Sequence, residues 1–66
     1  MRVNKEKLEK YMARNMLTYQ TLSKKSGVSV VTILRLKKGT QEPKPVTVGK
    51  IAKAIGCDVT EIIETN

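Results

Sequence analysis

The sequence predicts an all-α fold: a compact bundle of five helices that forms one domain over residues 1–66, with its core at about 4–63. Three observations support this prediction. The chain has only 66 residues and a single cysteine, so no intramolecular disulfide can stabilise it, and a compact helical bundle is the economical solution. No segment shows the alternation of a strand. Apolar residues instead recur at helical spacing, most clearly at Val48, Ile51, Ala52 and Ile55.

The first helix is expected from Asn4 to about Asn15. Asn4 is a strong N-cap residue, and Asn15 tolerates the left-handed conformation with which many helices end. Leu8, Tyr11 and Met12 stand at i, i+3 and i+4, which places one apolar stripe on an otherwise charged helix. This stripe is the face that we expect to join the core.

The second helix is expected at about Tyr19–Lys25, with Thr18 as its N-cap and Leu22 as its central core residue. Gly27 follows this helix and predicts a sharp turn, because glycine adopts positive φ without a steric penalty. The chain is therefore expected to reverse at this glycine and to enter another helix at once.

Ser29 caps the third helix, expected at about Val30–Lys38, and Gly39 is the signal that ends it. Ile33 and Leu36 are spaced to face the core. Arg35 and Lys38 are consequently expected on its outer side.

Pro45 suits the first turn of a fourth helix, because its missing N–H would have no partner there, and Gly56 ends that helix. Asp58 and Glu61 form an Asp-x-x-Glu start signal. We therefore expect a fifth, short helix behind them.

The balance of charge indicates the class of partner. Thirteen Lys and Arg residues against six Asp and Glu residues give a net charge of +7 and a pI near 9.9, which is typical of a domain that binds a polyanion. No apolar run approaches the length of a membrane span, and the N-terminus lacks the apolar core of a signal peptide. We expect a cytoplasmic protein with no membrane partner, in which Cys57 is a small buried hydrophobe and remains a thiol.

The composition also argues against catalysis and against metal binding. The chain has no histidine, no nucleophile elbow and no phosphate-loop glycines, so we expect no catalysis and no small-molecule substrate. One thiolate and a few carboxylates do not make a zinc site. We therefore expect no metal and no cofactor.

The segment Thr18–Gly39 has the layout of a helix-turn-helix, which lays its second helix in the major groove of DNA. Marker residues at characteristic spacing run through the chain: Leu8, Leu17-Thr18, Leu22-Ser23, Gly27-Val28-Ser29, Thr32-Ile33, Arg35-Leu36, Gly39, Pro43 and the run Ile51–Gly56. With these markers, the chain over about residues 4–63 resembles the phage lambda repressor/Cro-like helix-turn-helix domains, also called the XRE type. The resemblance implies a five-helix fold, double-stranded DNA as partner, and a role in regulating transcription in a bacterium or mobile element, with activation and repression both open.

Three positions depart from the habits of that family. Tyr19 stands where a glutamine commonly contacts DNA, and Val30 and Val31 stand where polar residues usually read base edges. Many members pair an arginine of the first helix with a glutamate near the end of the third, and those positions hold Met12 and Lys37 here. We therefore expect that this ion pair is absent here. If DNA lies where the resemblance implies, Lys37 adds positive charge near its backbone.

The outer side of the third helix carries the candidate base contacts. Arg35 can donate two hydrogen bonds from its planar fork to guanine O6 and N7. Thr32 can bond a phosphate or touch a thymine methyl group, or it can bond back to its own helix. Val30, Val31 and Leu34 can pack on thymine methyl groups, or they can form an apolar patch for a protein partner or a second copy.

The backbone contacts are expected at helix ends. The N-termini of the second and third helices present free N–H groups and positive dipole ends, which suit phosphates. Thr18 and Ser29 are expected to serve as caps and as phosphate donors, and Tyr19, Lys38 and Lys44 to grip the strands on either side.

The sequence favours a sequence-specific DNA-binding transcriptional regulator and leaves two other functions open. One is a protein-interaction module, such as an antitoxin or regulator partner, that uses the Val30/Val31/Leu34 face. The other is a non-specific architectural DNA binder. A homodimer would use the C-terminal helix (Val59, Ile62, Ile63), the surface of the fourth helix or the tail, and a monomer is the alternative.

Overall fold

The structure, a computed structural model, describes residues 1–64 and contains four α-helices and one turn of 3-10 helix. This element order agrees with the all-α class that the sequence predicts. No described helix has both the length and the apolar character needed to cross a bilayer. In chain order the elements are α1 (Lys5–Arg14), α2 (Tyr19–Ser26), α3 (Val30–Lys38), α4 (Pro45–Ala54) and the 3-10 turn (Val59–Glu61).

Side-chain caps set the starts of the first three helices, and left-handed glycines set the ends of the second and third. Asn4, Thr18 and Ser29 each accept a hydrogen bond from the backbone N–H three residues on, which satisfies one of the free donors of a first helical turn. Gly27 and Gly39 adopt φ of 76° and 79° and end α2 and α3. The predicted N-caps and the turn at Gly27 are confirmed, whereas Asn15 is not left-handed: its φ is −96°, and Met16 after it has the positive φ of 54°.

One apolar core joins these elements. α2 packs against both α3 and α4, and α4 also contacts the 3-10 turn. Each helix brings its apolar stripe to this centre, so the outer face of α3 stays clear of the packing. The side chains that are fully buried here are Leu8, Leu22, Ile33, Leu36, Val48, Ile51 and Ile62.

The predicted fifth helix is wrong. Asp58 caps as expected, because its carboxylate accepts hydrogen bonds from the backbone N–H and the hydroxyl of Thr60. Glu61, however, accepts from the Tyr11 hydroxyl at 2.8 Å and closes no capping box. The helical turn therefore lasts only three residues.

The chain leaves that turn to pair with its own N-terminal segment. The N–H of Asn4 donates to the Ile62 carbonyl at 2.8 Å, and Val3 and Ile63 form an isolated antiparallel bridge. A longer helix would turn Ile62 out of this pairing. Its side chain is 0% exposed, so burial and the bridge together stop the helix.

This arrangement also corrects the expected dimer surface. Ile62 is in the core, and Val59 and Ile63 pack against it, so these three residues do not form a free helical face. The tail that the sequence offered as another surface ends outside the described residues. On α4, Val46 is 70% exposed.

Cys57 has intermediate exposure and packs against the core, so it is less buried than expected. Burial raises the pKa of its thiol, and the nearby Glu61 and Asp58 carboxylates raise it further. A thiol with a raised pKa is less often a thiolate, which disfavours a redox role.

Candidate nucleic-acid interface

The outer face of α3 is the centre of the candidate interface. Ile33 and Leu36 point into the core and hold the helix from below. Arg35 and Lys38 lie on the opposite, exposed side. The prediction that this segment is a helix with an apolar underside and a free basic side is confirmed, with Arg35 and Lys38 on the free side.

Arg35 is presented without a protein partner. Among the described residues its guanidinium makes no ion pair and no hydrogen bond, whereas its backbone carbonyl accepts from the N–H of Thr40 at 3.0 Å. The backbone at this position is therefore held by the end of the helix while the side chain is free to meet a ligand. Lys38 is exposed in the same way.

The apolar patch on α3 is smaller than its three residues suggest. Val31 is 56% exposed, whereas Val30 and Leu34 have intermediate exposure. Only one valine therefore presents most of its surface to solvent. An apolar area of this size fits contact with single methyl groups better than a broad protein interface.

The first turns of α2 and α3 each present unbonded N–H groups. Tyr19 and Gln20 at the start of α2, and Val30 and Val31 at the start of α3, make no N–H hydrogen bond among the described residues. Helix N-termini with such groups favour anions, because the N–H donors and the helix dipole act together. Both ends can therefore bind phosphate oxygens.

At each of these two helix starts, the hydroxyl of the cap residue is hydrogen-bonded to the hydroxyl of the residue three positions later. The Ser29 hydroxyl donates to Thr32 Oγ1 at 2.9 Å while it accepts from the Thr32 N–H. Ser29 thus has its donor engaged, and the hydroxyl hydrogen of Thr32 is the one left to point outward. Thr18 and Thr21 also pair their hydroxyls, at 2.9 Å, and Thr18 Oγ1 accepts from the Thr21 N–H.

Lys44 lies at the start of α4, and its side chain is exposed. It makes no capping bond to the helix that it precedes. Pro45 follows at the first helical position, as the sequence predicts. Among the described residues, the Lys44 ammonium forms no ion pair.

The side chains of Glu9, Tyr19 and Lys37 form a polar cluster that the sequence did not predict. The Lys37 ammonium donates to the Tyr19 hydroxyl at 2.9 Å and lies 3.5 Å from Glu9 Oε2. The Tyr19 hydroxyl donates to the same carboxylate oxygen at 3.2 Å. The family's arginine–glutamate pair is therefore absent, as expected, but another ion pair links the same two helices. In this pair the acidic residue, Glu9, lies on α1 and the basic residue, Lys37, lies on α3, which is the reverse of the family's arrangement. Glu9 also stands at a different position of α1 from Met12.

This cluster also changes the roles expected of two residues. Lys37 turns to Glu9 and Tyr19, with a side chain only 18% exposed, so its charge is not free beside the DNA backbone. The Tyr19 hydroxyl turns inward as well, in contrast to the strand contact that the sequence predicts. A contact between Tyr19 and DNA stays a prediction, carried by its backbone N–H. In the sequence, the only indication of the polar cluster was Glu9, which stands three residues before Met12 on the first helix.

The comparisons with known proteins agree with this geometry. A family model of Cro/C1-type HTH DNA-binding domains matches residues 7–66. The chain is also similar to an uncharacterized HTH-type transcriptional regulator of Methanocaldococcus jannaschii, with 41% identity over 58 residues, which are 88% of this chain and 88% of that protein. That relative is archaeal, whereas the resemblance implied a bacterium or mobile element. No solved structure matches the chain significantly.

Proposed function

Because this chain belongs to the family of Cro/C1-type helix-turn-helix DNA-binding domains and is a DNA-binding transcriptional regulator, we propose that it reads duplex DNA with α3 in the major groove. One observation carries the proposal: α3 is buried along Ile33 and Leu36, and it presents Arg35 on its outer side without a partner among residues 1–64. A rigid helix that presents a free guanidinium is the arrangement that base readout requires.

Arg35 is the proposed base-reading residue. Its fork matches the O6 and N7 acceptors of guanine, which no other base pair presents in the major groove. Val31 is the proposed contact to a thymine methyl group, and Val30 and Leu34 extend the same surface with smaller exposed areas. Direct readout by hydrogen bonds is thin on this helix, so DNA shape contributes to the choice of site.

The remaining contacts are proposed for the phosphates. The N–H groups at the starts of α2 and α3, beside Thr18 and Ser29, would bind one strand together with the hydroxyl of Thr32. Lys38 and Lys44 would neutralise phosphates on either side of the groove. These contacts fix the orientation of the domain and are indifferent to sequence.

A salt titration tests the proposal. Duplexes are first selected from a random library, and the affinity for the selected site is then measured by fluorescence anisotropy at several salt concentrations. We expect log K to fall linearly with log salt, with a slope of about −0.9 per neutralised phosphate. Salt-insensitive binding, or no binding to any duplex in the pool, would refute the proposal and favour a protein partner on the Val31 surface.

The Arg35→Ala variant tests the readout. We expect it to lose preference at one base pair, by about 1–3 kcal/mol of discrimination. Arg14→Ala is the matched control, because Arg14 is an exposed arginine that lies over the Tyr11 ring on α1. Equal losses on all sequences from Arg35→Ala would indicate a phosphate contact and an architectural binder.

The selected sites also test the proposal of a homodimer. A dimer predicts a two-fold symmetric motif whose half-sites lie about one helical turn apart. With Ile62 buried, the surface proposed for pairing is α4 around Val46. A single short motif without symmetry would indicate that the domain binds as a monomer.

A further inference from the structure

The polar cluster of Glu9, Tyr19 and Lys37 connects three helices. Glu9 belongs to α1, Tyr19 is the first residue of α2, and Lys37 lies in the last turn of α3. The main packing of α3 in this fold is against α2, and the cluster adds a polar link from α3 to α1. It thus lies at the corner where the three helices meet.

The Lys37 ammonium is held by two side chains at once. It donates to the Tyr19 hydroxyl at 2.9 Å, and it lies 3.5 Å from the Glu9 carboxylate. The hydrogen bond with Tyr19 raises the pKa of Lys37, so the side chain remains cationic. Moving the Lys37 ammonium to a phosphate would cost both of these interactions.

The cluster is next to two parts of the proposed interface. Tyr19 stands at the N-terminus of α2, where the unbonded N–H groups lie. Lys37 directly precedes Lys38 on α3 and is two residues from Arg35. Any force that holds Tyr19 against Lys37 therefore sets the start of α2 relative to the basic side of α3.

We infer that Glu9, Tyr19 and Lys37 form a positioning cluster, which aligns the phosphate-binding end of α2 with the recognition helix while neither Tyr19 nor Lys37 has its side chain on DNA. The inference rests on the proposed DNA-binding function and deepens it. It separates two neighbouring lysines: Lys38 neutralises a phosphate, and Lys37 acts through the Tyr19 hydroxyl and the Glu9 carboxylate.

The salt dependence of DNA binding distinguishes these two roles. A lysine on a phosphate contributes about 0.9 to the slope of log K against log salt, and a lysine that only positions a helix contributes nothing to it. We expect Lys38→Met to reduce the slope by about 0.9. We expect Lys37→Met to weaken binding about three- to tenfold at each salt concentration with an unchanged slope.

Two further variants test the network without deleting the lysine. Tyr19→Phe keeps the aromatic ring and the Glu9–Lys37 ion pair and removes both hydroxyl hydrogen bonds, so it should lose part of what Lys37→Met loses, and the double variant should lose little more than Lys37→Met alone. The exchange of Glu9→Lys with Lys37→Glu keeps the net charge and restores an ion pair. We expect this exchange to recover affinity that Lys37→Glu alone loses.

The melting temperature of each variant is measured by thermal unfolding. The DNA titration of that variant is then run well below this temperature. If Lys37→Met fails to fold, Tyr19→Phe and the charge exchange carry the test. A slope reduced in Lys37→Met as in Lys38→Met, or affinity unchanged in both Lys37→Met and Tyr19→Phe, would overturn the inference alone. Wild-type protein without salt-dependent binding would overturn the proposed function, and the inference with it.

Discussion

Residues 27–38 and residues 56–64 start with the same local arrangement and end differently. In each, a glycine with positive φ (76° at Gly27, 72° at Gly56) is followed two residues later by a residue whose side chain caps the next turn. Ser29 starts a helix of nine residues, whereas Asp58 starts a 3-10 turn of three. A cap therefore determines where a helix begins and leaves its length open.

The residues after the cap decide the length. After Ser29, Ile33 and Leu36 stand three residues apart, so one helical face enters the core and the rest stays outside. After Asp58, the backbone of Ile62 is needed for pairing with the N-terminal segment. Because backbone groups in the pairing are unavailable to a helix, the second segment ends at its first turn.

The largest effect should come from Ile62→Ala, which tests the core assignment of the closing segment. We expect a loss of about 2–5 kcal/mol in the free energy of unfolding, because a fully buried isoleucine leaves a cavity. Urea denaturation measures this loss, and Val59→Ala, at a partly exposed position, is the control. A change in oligomeric state with little loss of stability would instead support the dimer helix that the sequence predicted.

Substitution of alanine for each of the two turn glycines tests whether both turns depend equally on positive φ. Gly27→Ala and Gly56→Ala should each lower stability by about 1–2 kcal/mol, because both sites hold positive φ although a Cβ meets no atom within 4 Å. Gly49→Ala, in the interior of α4 with the same free space, should instead raise stability by about 0.4–1 kcal/mol. Thermal melts of the three variants test this ordering, and equal effects would contradict it.

Loss of the cap at α3 should have a smaller effect. Ser29→Ala removes the acceptor for the Thr32 N–H and should cost about 1 kcal/mol of unfolding free energy. The loss should be independent of pH, since no titrating group is involved. Chemical denaturation at neutral and acid pH measures it, and a loss below a few tenths of a kcal/mol would show that packing alone holds the start of the helix.

The smallest effect should be at Asp58, and it should depend on pH. Hydrogen bonds from Thr60 lower the pKa of the Asp58 carboxyl below its ordinary value. A carboxyl with a lowered folded-state pKa stabilises the fold above its unfolded pKa of about 3.9, and this contribution is lost as the pH falls through the folded value. The stability gap between wild type and Asp58→Asn should therefore close in acid, whereas the Ser29→Ala gap should persist.

The predicted site could be read in large part from local signals. The bounds of α3 follow from Ser29 and Gly39, which act within one or two turns of their own position. The exposure of Arg35 follows from the spacing of Ile33 and Leu36. The Glu9–Lys37 pair could not be read in this way, because 28 residues separate its members and only the packing of three helices brings them together.

The order of the helices, their first residues and the side of α3 that faces outward were decided by the sequence itself, because caps, glycines and apolar spacing act over a few residues. The tertiary structure alone decided that the last segment pairs with Val3, that Ile62 lies in the core, and that Lys37 faces Tyr19 and not solvent. Each of these depends on groups distant in the chain, whose approach costs conformational entropy and is repaid only by the packed fold as a whole.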